Sequence, residues 1–204
     1  MLNIFARASV SRVTDPIGAR LVRMGLTPNA MTLIGTLGAV AGAVWFFPRG
    51  QLVTGTFVVW GFAMLDLLDG AMARAKGGNG TKFGGVLDSS CDRIADGALG
   101  AAVAWYCLAV AQNHLLGAAA LICLVSGQVI SYVKARAESS GLRADVGIVE
   151  RAERLIITLV GTGLYGLGVP YALHVALWLL AVLSVVTVIQ RLVAVWQSAQ
   201  EETA

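Results

Sequence analysis

The stretch Asp66–Asp92, DLLDGAMARAKGGNGTKFGGVLDSSCD, decides how the rest of the chain is read. It carries four carboxylates in two pairs, Asp66 with Asp69 and Asp88 with Asp92. Separations of three and four residues put the members of each pair on one helical face, a turn apart. Apolar runs enclose the stretch, Leu52–Leu65 before it and Ala98–Val110 after it. A carboxylate at the edge of a membrane span costs roughly 2.5–3.5 kcal/mol on insertion scales unless something compensates it. Four together repel one another and take up protons. One or two divalent cations remove that repulsion, and an oxygen-only ligand set selects hard Mg2+ or Mn2+ over zinc.

The 204 residues are 57% hydrophobic and only 13% charged, with a mean hydropathy of +0.74. A soluble domain carries about 25% charged residues, so this composition is that of a polytopic membrane protein. Met1–Val13 contains Arg7 and Arg12 and no long apolar core, which does not read as a cleavable signal. Leu2–Val13 instead mixes apolar and basic residues as an amphipathic piece suited to the membrane surface. Asp15-Pro16 reads as the N-cap and first residue of a helix ending near Gly25.

Six spans follow, at about 30–47, 52–73, 88–111, 115–136, 152–168 and 171–190. The first carries a Gly38-x-x-x-Gly42 face suited to close helix approach. Leu155–Ile189 contains one strongly polar residue, His174. As a single helix it would reach roughly 52 Å, too long for a hydrocarbon core of about 30 Å. The Gly166-Leu-Gly168-Val-Pro170 stretch divides it into two spans. The expected fold is an all-α integral membrane protein: six transmembrane helices preceded by a short N-terminal amphipathic interfacial helix within residues 1–25. Residues 1–204 read as a single domain without internal repeats.

Charge placement agrees with that count. Of 15 Lys and Arg residues, 14 fall at the termini and at the second-to-third and fourth-to-fifth connections, and only Arg49 falls opposite. This asymmetry puts both termini and the acidic stretch on the cytoplasmic side. The net charge of +3 reflects a basic cytoplasmic face, and nucleic acid is not implied. Cys91, Cys107 and Cys123 are scattered in or beside apolar segments, which suits small packing residues better than a disulfide framework or a zinc site.

Asp66, Asp69, Gly70, Ala73, Arg74, Gly84, Asp88 and Asp92 stand in the order D-x-x-D-G-x-x-A-R and then G-x-x-x-D-x-x-x-D. This order resembles the signature of the CDP-alcohol phosphotransferase family. The resemblance implies that an alcohol attacks the lipid-bearing phosphorus of a CDP-linked lipid and that CMP leaves. It implies two Mg2+ per active site, with Mn2+ able to substitute. Asp66 and Asp88 would bridge both metals, with Asp69 on one and Asp92 on the other. Asp92 would also be the catalytic base. Gly70 and Ala73 would leave room for the cytosine ring, and Arg74 would pair with phosphate. Thr81, Asn29 and Thr32 complete the expected CDP-diacylglycerol site, although Asn29 is equally placed to cap a helix.

A second set is basic. Ser131 and Lys134 share a face at the end of the fourth span, Arg154 opens the fifth, and Arg191 closes the sixth, with Arg136 and Arg151 beside them. Such a set suits an acceptor that carries its own phosphate, while the positive-inside rule alone also accounts for basic residues at these ends. The runs SYVKARAESSGLR, ERAERLI, LTPNAMTLIG and LDSSCDRIADG resemble the bacterial phosphatidylinositol phosphate synthases, a branch of the same family. That resemblance implies CDP-diacylglycerol as donor, 1L-myo-inositol 1-phosphate as acceptor, and a homodimer in the bacterial cell membrane. A phosphatidylglycerophosphate synthase using glycerol 3-phosphate is the alternative within the family. A cation transporter is the alternative outside it, but it would place acidic residues near the midplane. Asp96 continues the series 88, 92, 96 outside the signature and reads as a structural partner of an arginine or a helix dipole. Lys76 and Lys82 read as solvated or lipid-facing charges.

Overall fold

The computed structural model describes residues 14–78 and 81–203; the amphipathic piece expected over Leu2–Val13 lies outside the described residues. Among the described residues every regular element is helical. Helix α1 covers 14–23, α2 Pro28–Phe46, α3 Leu52–Ala63, α4 Asp66–Ala75, α5 Lys82–Trp105, α6 His114–Ser139, α7 Arg151–Gly166 and α8 Ala172–Thr203. A 3-10 turn, Phe47–Arg49, follows α2, and a π-helical turn, Tyr106–Val110, follows α5.

Among the described residues five segments are long and apolar enough to cross a bilayer: Pro28–Arg49, Leu52–Ala75, Lys82–Val110, His114–Ser139 and Ala172–Glu201. The segment expected as the fifth span forms helix α7, whose 16 residues reach about 24 Å at helical rise, short of a hydrocarbon core of about 30 Å. Large apolar side chains on several of these helices point outward, among them Leu37, Phe57, Trp105 and Leu115, each more than half exposed. On a chain this apolar, that is the surface of a multi-pass membrane protein, whose solvent is lipid.

The chain packs as two units, one of residues up to Gly42 with Val58–Ala95, the other of Ala43–Phe57 with Asp96–Ala204. In the first unit the glycine face of α2 lies on the α3 side. A Cβ at Gly38 would overlap the ring of Phe62, and one at Gly42 would stand 2.7 Å from Cγ1 of Val58. The backbones approach because neither position has a side chain. Helix α1 meets α4 in the same way, since a Cβ at Gly18 would lie 2.9 Å from the backbone of Ala71 and Met72.

Three helix boundaries differ from the sequence reading. Asp15 is not an N-cap: residue 14 is already helical, and the Asp15 carboxylate accepts from Arg74. The second span is not one continuous helix. Leu65, Leu67 and Leu68 bond to the carbonyls three residues back, so the chain tightens between α3 and α4. A new N-terminus thereby opens at Asp66, and the first turn holds Asp66 and Asp69. Helix α5 starts at Lys82 rather than at Asp88, with Thr81 as its cap: Thr81 Oγ1 accepts from Gly84 N at 3.0 Å.

In the second unit α8 packs against α6 and α7. Its inner side buries Leu173, Leu177 and Leu180 together with Ser184, Thr187 and Arg191. Gly161 of α7 has the space of a Cβ filled by Ala176, which brings those two helices close. The turn expected at Asn113-His114 is present: Asn113 caps α6, its Oδ1 accepting from Leu116 N at 3.0 Å. Residues 142–150 join α6 to α7 without helical structure.

Candidate active site

Opening a helix at Asp66 puts two carboxylates in its first turn, where the helix dipole favours negative charge. Helix α5 supplies Asp88 in its second turn and Asp92 a turn later. The ligand oxygens of Asp66, Asp69 and Asp88 lie within 4.8 Å of one another. Thr32 of α2 orients one of them, donating from Oγ1 to Asp69 Oδ2 at 2.6 Å. Three hard oxygen donors of like charge, drawn together and held in orientation, fit a divalent cation. Asp92 is not in this group of three; its Oδ2 lies 3.9 Å from Nη2 of the adjacent Arg93.

Beside the carboxylates is a cleft of about 480 Å³, within the roughly 300–1,000 Å³ usual for ligand sites. Asn29, Thr32, Gly70, Ala73 and Thr81 all line it, together with Asp69 and Asp88. Asn29 does not cap α2. That role belongs to Thr27, whose Oγ1 accepts from Ala30 N at 3.2 Å, so the Asn29 side chain is left to the cleft. Gly84 gives the reason its position is bare: a Cβ there would stand 3.1 Å from both Asn29 Oδ1 and Thr81 Oγ1. Arg74 stands just outside the lining, beside Gly70, with Nη2 donating to Asp15 Oδ1 at 2.7 Å. Both partners are about half exposed, and an exposed pair of this kind is worth about 1 kcal/mol or less.

The cleft also includes Lys76, Thr27 and Gly85, which the sequence reading left out. For Lys76 a signal existed. Asp69, Ala73 and Lys76 stand at i, i+4 and i+7 of one helix, which is a single face.

The basic residues lie in the second unit, and the structure gives most of them partners. Lys134 Nζ sits 2.8 Å from Asp145 Oδ1 and 3.9 Å from Glu138 Oε1. That ammonium, by hydrogen bond and by charge, holds the exposed Asp145 carboxyl below its ordinary range. Asp96 accepts from Arg151 Nε at 3.4 Å and from Arg154 Nη2 at 3.3 Å, the arginine partnership its position suggested. Arg154 is buried, with its side chain laid across Gly127, where a Cβ would lie 3.2 Å from Nε. Arg191, only 3% exposed, donates to two backbone carbonyls, Nη1 to Ile130 at 2.7 Å and Nε to Val146 at 2.9 Å. Ser131 Oγ donates to the Gly127 carbonyl at 3.3 Å, and Arg136 Nη1 to Ser139 Oγ at 3.4 Å.

The chain is similar in sequence and fold to known proteins. Residues 25–196 match the family model for CDP-alcohol phosphatidyltransferase. The phosphatidylinositol phosphate synthase of Mycobacterium marinum is 56% identical over 95% of this chain and 83% of its own length. The protein of that name from Mycobacterium bovis is 52% identical over 97% of this chain and 92% of its own. A crystal structure of the Mycobacterium tuberculosis phosphatidylinositol phosphate synthase with CDP-DAG bound is 54% identical. It superposes with a TM-score of 0.88 over 92% of this chain and 95% of that one. Another, of the same enzyme in complex with manganese and citrate, superposes with a TM-score of 0.87 over 91% and 90%. The chain belongs to the CDP-alcohol phosphatidyltransferase family. It is a membrane enzyme of phospholipid biosynthesis with CDP-alcohol phosphatidyltransferase activity, and its acidic group suits a divalent metal.

Proposed function

We propose that the protein transfers the phosphatidyl group of CDP-diacylglycerol to 1L-myo-inositol 1-phosphate, giving phosphatidylinositol phosphate and CMP. The observation that carries this reading is the convergence of Asp66, Asp69 and Asp88 beside a cleft walled by Gly70 and Ala73. The choice of acceptor is supported by relatives at 52–56% identity that bear the name phosphatidylinositol phosphate synthase. The solved relative with CDP-DAG bound supports the donor.

In this reading Asp66, Asp69, Asp88 and Asp92 hold two Mg2+, replaceable by Mn2+. When bound, these ions neutralise the carboxylates and polarise the phosphoryl oxygens. Gly70 and Ala73 present bare helix surface to the cytosine ring, and Asn29, Thr32 and Thr81 supply polar partners for the nucleotide. Arg74 exchanges Asp15 for a phosphate oxygen of the donor. Asp92 accepts the proton of the acceptor hydroxyl as that oxygen attacks the lipid-bearing phosphorus, and the bond from that phosphorus to CMP breaks. Ser131, Lys134, Arg154 and Arg191, flanked by Arg136 and Arg151, take the phosphate of the acceptor. The enzyme works as a six-span homodimer in the bacterial plasma membrane, one domain per chain, with its termini and active site cytoplasmic.

The test is CMP release by purified protein in detergent, given CDP-diacylglycerol, Mg2+ and one acceptor at a time. Inositol 1-phosphate is expected to turn over fastest and free inositol poorly. Faster turnover of glycerol 3-phosphate would overturn the acceptor assignment while leaving the family chemistry intact.

A further inference from the structure

The connection between α6 and α7 is tied down by its backbone at three places. Arg143 N donates to Ser198 Oγ at 3.1 Å, the Val146 carbonyl accepts from Arg191 Nε at 2.9 Å, and Val149 N donates to Thr187 Oγ1 at 3.3 Å. Gly147, at φ 143°, crosses α8 so closely that a Cβ would stand 2.6 Å from Cγ2 of Thr187. Ala144 is buried on one side of Asp145, and Val146 is anchored on the other. The Asp145 backbone is therefore placed, while its side chain remains 78% exposed and reaches Lys134 Nζ at 2.8 Å.

We propose that Asp145 is a specificity-determining residue: its carboxylate occupies the place on Lys134 that the phosphate of the acceptor takes. This rests on the reading of Lys134 as part of the acceptor site. To an ammonium, a carboxylate oxygen and a phosphate oxygen are equivalent partners, and Asp145 presents one at hydrogen-bonding distance. Glu138, at 3.9 Å, is too far to hydrogen-bond and adds only charge. An exposed pair is weak enough for a phosphate dianion to displace. A neutral polyol offers nothing stronger than water and leaves the pair closed. A role as a loop staple is redundant, because the three backbone anchors already hold the segment.

The experiment measures CMP release by the full-length protein with CDP-diacylglycerol and Mg2+, varying inositol 1-phosphate, with inorganic phosphate as a competing anion. Asp145→Asn is expected to lower KM for inositol 1-phosphate by about 2- to 5-fold, the range open to an exposed ion pair. The inhibition constant of inorganic phosphate is expected to fall by the same factor, and Asp145→Glu to restore both. Lys134→Ala must raise KM for the acceptor, and in that background Asp145→Asn must have no effect. A KM that rises or stays fixed in Asp145→Asn overturns the inference. So does a fall in KM without a matching change for inorganic phosphate, or an Asp145→Glu variant that behaves like Asp145→Asn. If instead Lys134→Ala leaves KM unchanged, it is the placement of Lys134 in the acceptor site that fails.

Discussion

The acidic cleft and the basic set treat charge in opposite ways. Beside the cleft, Asp66, Asp69 and Asp88 are drawn within 4.8 Å of one another, an arrangement that like charges resist. In the basic set, Lys134 faces Asp145 and Glu138, Arg151 and Arg154 share Asp96, and Arg191 spends donors on backbone carbonyls. A site that concentrates one sign calls for a counter-ion from outside the chain. A site already neutralised from within binds its ligand by exchange. Removing the ligand of the first should therefore be catastrophic, whereas single changes in the second should tune affinity.

Metal removal is the strongest way to break that contrast. Excess EDTA is expected to abolish CMP release and added Mg2+ or Mn2+ to restore it; full turnover in chelator would sink the cation assignment. Next comes Asp92→Asn, expected to lower kcat by at least roughly 10²-fold with KM for CDP-diacylglycerol little changed. Asp96→Asn is its partner experiment. It loosens two arginines of the basic set, so the expected loss lies in KM for the acceptor. Equal losses of kcat in the two variants would erase the division between them. Thr32→Val removes the 2.6 Å hydrogen bond that orients Asp69. The Mg2+ concentration for half-maximal activity should rise roughly 10-fold or more, the usual cost of losing a partner of a metal ligand. Lys134→Ala is the smallest of these effects, raising KM for inositol 1-phosphate roughly 10-fold. A larger loss there than in Thr32→Val would show that the basic set is less self-compensated than its geometry indicates.

The amino-acid sequence dictates the helical membrane character, through its composition and its long apolar runs. It also determined which aspartates and small residues share helix faces, because Asp66 with Asp69, and Gly70 with Ala73, are related by local helical geometry. The glycine face of α2 was legible for the same reason: Gly38 and Gly42 repeat at one turn, and α3 packs there. Tertiary structure alone decided the partners of the long polar side chains. Thr32 reaches Asp69 across 37 residues, Arg191 reaches Ile130 across 61, and Arg74 reaches Asp15 across 59. No spacing along the chain encodes such pairs, because they depend on which helices pack and on how the backbone tightens between α3 and α4. The same holds for Asp145. In sequence it is one acidic residue of a polar loop, and only backbone anchors to α8 set it 2.8 Å from Lys134.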